Sequence, residues 1–80
     1  MIREEIYEKL NEIFAEEFED EDIHLNDEMT ADDIEDWDSL AQINLVVKIE
    51  KTFKVKFKMQ EIYSWENVGQ MVDMIMEKSA

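Results

Sequence analysis

Proline is absent from this chain, and its only glycine is Gly69. A domain built from β-strands needs many tight turns, which glycine and proline supply most often. Hydrophobic residues still make up 45% of the sequence, a share too high for a disordered chain. We therefore expect an all-α fold in a single domain over residues 1–80, because a chain of this length has no room for a second domain.

Apolar residues recur at spacings of three and four in three segments, a pattern typical of amphipathic helices. The first helix is predicted over residues 2–18 and the second over residues 39–52, with a short helical turn over residues 60–63. Ser64 is a plausible N-cap for a last helix, whose inner face would consist of Trp65, Val68, Met71, Val72 and Ile75. The result is a small bundle of three to four helices.

The connection between the first two helices is long for a domain of this size. It begins at an acidic run, Glu19-Asp20-Glu21-Asp22, whose like charges should end the first helix. It continues to Asp38 and contains a short turn that Thr30 and Asp33 are placed to cap. Long connections inside compact domains are uncommon and usually functional, so this loop is a candidate region for a site.

Residues 54–59 alternate lysine with Val55, Phe57 and Met59. Strict alternation indicates an extended segment with its apolar side chains on one face. Since no second strand is available to pair with it, we predict an ordered loop in which these three side chains point inward.

The negative charge is concentrated in the first half of the chain. Residues 1–40 contain 17 acidic and 2 basic side chains, a net charge of −15, whereas residues 41–80 contain 5 acidic and 6 basic ones, a net charge of +1. An acidic surface repels nucleic acid and anionic membranes and attracts partners with basic patches. We therefore expect protein partners, no nucleic acid and no membrane insertion. A cytoplasmic location is expected because no signal peptide or membrane span is visible.

Residues that catalysis or metal binding often needs are scarce. The chain has no cysteine, which excludes disulfides and thiolate metal sites. The only histidine, His24, lies in the acidic loop, where we interpret it as a solvated side chain rather than a general base. The same loop lacks the glycine and the carboxylate spacing of a calcium-binding EF-hand. We therefore expect neither catalytic residues nor a metal site.

Ser39 is the residue whose position most invites a functional interpretation. It lies at the predicted start of the second helix, where free backbone N–H groups and the positive end of the helix dipole favour a phosphate ester on its oxygen. Ser39 followed by Gln42 also matches a capping box, in which the serine only caps the helix. Position alone favours the cap.

The residues around Ser39 resemble a known family. The segment from Trp37 to Phe53, with its Asp38-Ser39-Leu40 motif, closely resembles acyl carrier proteins and related phosphopantetheine-binding carriers. The segment 68–72 resembles the start of that family's last helix, and the helix order and long first loop agree too. The resemblance implies a 4′-phosphopantetheine arm on Ser39, transferred from coenzyme A by a phosphopantetheinyl transferase. The arm ends in a thiol, which would hold an acyl group as a thioester.

The resemblance also implies partners and site residues. A carrier of this kind would be a monomer that meets an acyl-loading ligase or transferase and then acyltransferase or synthase enzymes. Partner recognition would involve Asp36, Trp37, Asp38, Leu40 and Ile43. The acyl chain could lie between helices, against a wall that would include Ile43, Val46, Val47 and Ile62. For each of these residues, plain core packing is the alternative.

Departures from the family pattern point to a subtype. Trp37 stands beside the Asp-Ser-Leu motif where carriers of general fatty-acid synthesis usually have a nearby glycine, and Ala41 and Asn44 replace acidic residues. Lys48 and Lys51 follow on the same helix. We therefore expect a free-standing carrier of a specialised lipid, polyketide or polysaccharide-acylation pathway. An aminoacyl or peptidyl carrier remains an alternative, as does a non-carrier acidic interaction domain in which Ser39 is only a helix cap.

Overall fold

Four α-helices are present in the computed structural model, which describes residues 2–79. They are α1 (Arg3–Phe18), α2 (Ser39–Phe53), α3 (Met59–Ser64) and α4 (Val68–Ser79), with a 3-10 turn at Ala31–Asp33 between the first two. No strand occurs within the described residues, and the all-α prediction is confirmed. No helix in this part of the chain has the length and apolar composition needed to cross a membrane.

The core lies where the inner faces of α1, α2 and α4 meet. Helix α1 packs against both α2 and α4, so it is the central element of the bundle. Each helix contributes a stripe at the predicted three-four spacing, because that spacing puts the side chains on one face. The buried cluster consists of Ile6, Leu10, Ile13, Phe14, Leu45, Ile49, Phe53, Val55, Val68, Met71, Val72 and Ile75.

Helices α1 and α2 both end at a residue with left-handed backbone geometry. Glu19 has φ 52° and Lys54 has φ 57°, and each lies directly after the last helical residue. Glycine usually takes this position because it has no Cβ to clash. After α1, the N–H of Asp20 still donates to the carbonyl of Ala15 at 3.0 Å, which closes the helix end. The acidic run therefore begins where α1 stops, as predicted.

The loop over residues 19–38 is tied to the helices at several points. The N–H of Val68 donates to the carbonyl of Met29 at 2.8 Å, and the N–H of Gly69 donates to the carbonyl of Asp27 at 3.0 Å. On the α1 side, the Oδ1 of Asn11 accepts from the N–H of Leu25 at 2.8 Å. Since these bonds join the loop to the middle of α1 and to the start of α4, the loop has a defined path towards α2.

Two predictions about the second half of the chain are wrong. Met59 was expected to point inward but is exposed, because the alternation ends at Phe57 and Met59 is the first residue of α3. The last helix begins at Val68 rather than after Ser64. Ser64 instead ends α3, and the Oδ1 of Asn67 accepts from the N–H of Gln70 at 2.9 Å at the start of α4. The inner face predicted for that helix is confirmed from Val68 onward, while Trp65 precedes it.

Candidate functional site

The start of α2 is capped by Asp38. Its Oδ1 accepts from the N–H of Ala41 at 2.8 Å, and its carbonyl accepts from the N–H of Gln42 at 2.9 Å. Ser39 is therefore the first residue inside the helix, and the predicted capping box of Ser39 and Gln42 does not form. Aspartate and serine are both good N-caps, and the residue that precedes the helix takes the role here.

Ser39 therefore does not cap the helix. It is exposed, and within residues 2–79 its hydroxyl makes no hydrogen bond. The backbone N–H groups of Ser39 and Leu40 have no acceptor in the preceding loop, as expected for the first turn of a helix. An accessible hydroxyl beside free N–H groups and the positive end of the α2 dipole suits a phosphate ester.

Trp37 anchors the loop just before this helix. Its ring meets the ring of Phe14 edge-on, with centroids 5.1 Å apart, and lies 6.4 Å from the ring of Phe18. Its indole Nε1 donates to the Oε1 of Gln42 at 2.6 Å. The contact with α1 fixes the loop two residues before Ser39, and the hydrogen bond joins it to the first turn of α2. Sequence reasoning missed this role of Gln42, since its match to a capping box pointed to the backbone instead.

An open groove of about 460 Å³ lies next to Ser39 and is called the Ser39 groove below. Trp37, Ser39 and Gln42 border it around the start of α2, and Ile62 and Trp65 border it from α3 and the residue after it. Carboxylates of the loop also line it, and no lysine or arginine does so among the described residues. A flexible group attached to Ser39 has this groove beside it.

Of the four residues predicted to line an acyl pocket, one borders the Ser39 groove. Ile62 borders the Ser39 groove, whereas Val46 is buried and Ile43 and Val47 are 48% and 44% exposed on the outer face of α2. The cause is the helical period, because residues 43 and 47 lie on the same face as Leu40, which is 68% exposed. Leu40, Ile43 and Val47 therefore form a continuous apolar strip, called the α2 strip below.

Exposed acidic residues precede Ser39 in the loop and are called the acidic mouth below; of these, Asp32 borders the Ser39 groove. Asp32, Asp33, Glu35 and Asp36 are all exposed, and none of them makes an ion pair within the described residues. Trp37, predicted to contact partners, is half-buried, with its ring against Phe14 of α1. His24 is exposed, and no group of three potential ligands in residues 2–79 is arranged to hold a metal ion.

Comparison with known proteins agrees with this geometry. The family described as the phosphopantetheine attachment site matches residues 8–75. The chain belongs to the phosphopantetheine-attachment family. Its fold is similar to the solution structure of holo acyl carrier protein from Geobacter metallireducens, with a TM-score of 0.84 and 39% sequence identity over 90% of this chain and 83% of that chain. A search of curated proteins gave no significant match.

Membership of the phosphopantetheine-attachment family confirms three expectations from the sequence. The chain is a carrier rather than a catalyst, it has the acyl-carrier fold, and its cofactor is covalently attached phosphopantetheine. Carriers of this family meet phosphopantetheinyl transferases and acyl-handling enzymes. The residues at the start of α2 fit such a group, because the exposed and unpaired hydroxyl of Ser39 opens beside a groove large enough for a flexible arm.

Proposed function

We propose that Ser39 is the attachment point and that the protein carries acyl intermediates as thioesters on a 4′-phosphopantetheine arm. The observation that supports this most directly is the division of roles at the start of α2. Asp38 caps the helix, so the Ser39 hydroxyl is exposed, makes no hydrogen bond within the described residues and borders the groove. A non-carrier domain that needed Ser39 as its helix cap would not place Asp38 in that role.

The chain's own residues would act by positioning rather than by bond chemistry. Asp38 holds the first turn of α2, and Trp37 fixes the preceding loop against α1. The unpaired N–H groups of that turn and the helix dipole would stabilise the negative charge of a phosphodiester on Ser39. When bound, the phosphopantetheine supplies the thiol that holds the acyl group and activates its carbonyl.

Two surfaces support the proposed exchange with partner enzymes. Leu40 and Ile43 of the α2 strip offer exposed apolar contact directly after Ser39, and Val47 extends it. Asp36 and its acidic neighbours lie on the loop side and would attract a basic patch. We propose that Trp37 stabilises this surface by packing against Phe14 of α1.

For the cargo, we propose a specialised lipid, polyketide or polysaccharide-acylation pathway. The support is the chain's departure from the usual acidic second helix, since Ala41 and Asn44 are neutral and Lys51 is an exposed cation. An aminoacyl or peptidyl carrier is the second candidate. Three carboxylates line the Ser39 groove (Asp32, Asp38 and Glu66), and they would tolerate a cargo with an amino group better than an anionic one.

The attachment residue can be tested by intact mass. The protein is incubated with coenzyme A, magnesium and a broad-specificity phosphopantetheinyl transferase, and we expect a gain of one phosphopantetheinyl group. Ser39→Ala should abolish the gain, whereas the matched control Ser64→Ala, which changes a serine at the end of α3, should keep it. An equal gain in Ser39→Ala would overturn the assignment. Mass spectrometry of the protein from its own host then identifies the cargo.

A further inference from the structure

The side-chain amide of Gln42 has a defined orientation. An indole N–H can only donate, so the group 2.6 Å from Nε1 of Trp37 must be the carboxamide oxygen of Gln42 and not its nitrogen. The NH₂ group of Gln42 is therefore turned away from Trp37. Within residues 2–79 it makes no hydrogen bond, and Gln42 borders the Ser39 groove.

The packing of Trp37 against α1 fixes this orientation of the Gln42 amide. The Trp37 ring is packed edge-on against Phe14 and lies near Phe18, so the indole donor cannot swing freely. A donor whose position is fixed in advance binds an acceptor at a lower entropic cost than a free side chain. Trp37 and Gln42 together therefore form a preorganised hydrogen-bond donor at the wall of the groove.

Gln42 also lies on the correct side of Ser39. Residues three apart are neighbours on a helix surface, with Cβ atoms roughly 5–6 Å apart. The oxygens closest to Ser39 after modification are those of the phosphodiester. No lysine or arginine lines the Ser39 groove among the described residues, and the loop carboxylates beside it would repel a phosphate. A neutral amide donor three residues further along the same helix is therefore available to compensate the phosphate charge.

We propose, on the basis of attachment at Ser39, that Gln42 is a binding residue for the arm, that its NH₂ group donates to the phosphodiester, and that Trp37 is its positioning residue. The pair holds the first part of the arm against the Ser39 groove.

The proposal can be tested by ¹⁵N NMR of the whole chain before and after modification. We expect the side-chain amide resonance of Gln42 to shift on conversion to the phosphopantetheinylated form. The amide of Asn11, whose oxygen is already bound to the N–H of Leu25 in the loop, serves as the internal control and should not shift. Modification without a shift at Gln42 overturns this proposal and leaves the Ser39 assignment intact. Absence of modification overturns both.

Two variants test the NH₂ donor of Gln42 and the indole N–H of Trp37 separately. Gln42→Glu keeps an acceptor for Trp37 but removes the NH₂ donor, so the ³¹P line of the attached arm should narrow as the phosphate becomes more mobile. Trp37→Phe keeps the ring packing but removes the N–H, so the Gln42 shift on modification should fall.

The matched control is Gln60→Glu, which makes the same amide-to-carboxylate change at an exposed residue of α3 that does not line the Ser39 groove. Circular dichroism checks that each variant is folded. The ³¹P line width of Gln60→Glu should equal that of the unsubstituted protein. If Gln42→Glu and Trp37→Phe also match it, the pair does not hold the arm.

Discussion

At the scale of single residues, Asp27 joins three parts of the molecule. Its Oδ1 accepts from Nη2 of Arg3 at 2.7 Å and from the hydroxyl of Tyr7, and Arg3 also donates to Asp73 of α4 at 2.6 Å. The carbonyl of Asp27 accepts from the N–H of Gly69. One loop residue thus contacts both α1 and α4, and we call Arg3, Tyr7, Asp27 and Asp73 the Asp27 cluster.

The Asp27 cluster should make the free energy of unfolding depend on pH in two ranges, one acidic and one alkaline. Hydrogen bonds from Tyr7 and Arg3 lower the pKa of Asp27 below its ordinary value of 3.8, so the stability it contributes is present above that value and is lost as the pH falls through the lowered pKa. Burial, aided by the bond to Asp27, raises the pKa of Tyr7 from 10.0 to about 12. Its contribution is complete below pH 10 and is lost as the pH rises towards 12.

Urea unfolding at a series of pH values checks this profile. Tyr7→Phe should flatten the alkaline slope, because the group that titrates is gone. Tyr63→Phe is the control, since Tyr63 is exposed and makes no such bond within the described residues. An unchanged alkaline slope in Tyr7→Phe would assign that slope to another group.

Single residues also show which parts of the site could be predicted from the sequence. Ser39 was identified because a motif and a helix start coincide there. Asp38 and Ser39 are both good N-caps, so the pattern could not decide between them, and the choice depends on where the loop enters α2. The bond between Trp37 and Gln42 could not be predicted, because it requires the indole to be held against Phe14 of another helix.

At the scale of elements, the close approach of the long loop to α4 explains why the chain has a glycine at position 69. A Cβ built on Gly69 would lie 2.9 Å from the Cβ of Asp27 and 3.0 Å from its carbonyl oxygen. Part of that contact is backbone, which cannot move aside without breaking the bond from the N–H of Gly69. The glycine is needed here for space rather than for an unusual backbone angle.

Gly69→Ala should therefore lower the stability of the protein. Alanine in a helix ordinarily stabilises by roughly 0.5–1 kcal/mol relative to glycine. Here the steric conflict should reverse the sign, with a loss of about 1–3 kcal/mol in the free energy of unfolding. Denaturant unfolding measures it, with Thr52→Ala at an exposed site of α2 as the control for helix propensity. A gain in stability at position 69 would show that the loop moves away at little cost.

Helix boundaries were predictable where the deciding interactions are local. Helices α1 and α2 begin and end within one residue of the predicted bounds, because their stripes and flanking charges define them. The start of α4 was misplaced because Ser64 and Asn67 are both N-cap residues. The choice between them is tertiary, since Trp65 packs edge-on against Phe57 with ring centroids 5.1 Å apart.

At the scale of the whole molecule, charge is distributed along α2 with opposite signs at its two ends. The loop before Ser39 carries the exposed acidic mouth. Four lysines at the far end are exposed and lack an ion-pair partner within the described residues: Lys51, Lys54, Lys56 and Lys58. Lys48, by contrast, pairs with Glu16 and Glu17 of α1 at 3.4 and 3.3 Å. A partner that approaches α2 therefore meets negative charge at the start of the helix and positive charge at its end, with the apolar α2 strip between them.

Charge reversal at the acidic mouth should slow modification. Glu35→Lys together with Asp36→Lys should reduce the rate of phosphopantetheine transfer by about tenfold at low salt, and by less at high salt, because steering is screened. Asp38 is left unchanged because it caps α2 and its reversal would disturb the helix. Lys54→Glu with Lys56→Glu is the matched control at the opposite end. Equal rates for all three proteins would exclude the mouth as the recognition surface.

The bonds from Val68 and Gly69 to the loop also affect the order of events during synthesis. The loop that leads to Ser39 is complete in sequence by residue 38, yet two of its backbone anchors lie thirty residues further along the chain. While a ribosome still holds residues 68 and 69, those anchors have not formed. A transferase that requires the native loop must therefore wait until the start of α4 has emerged and docked, well after Ser39 itself has been synthesised.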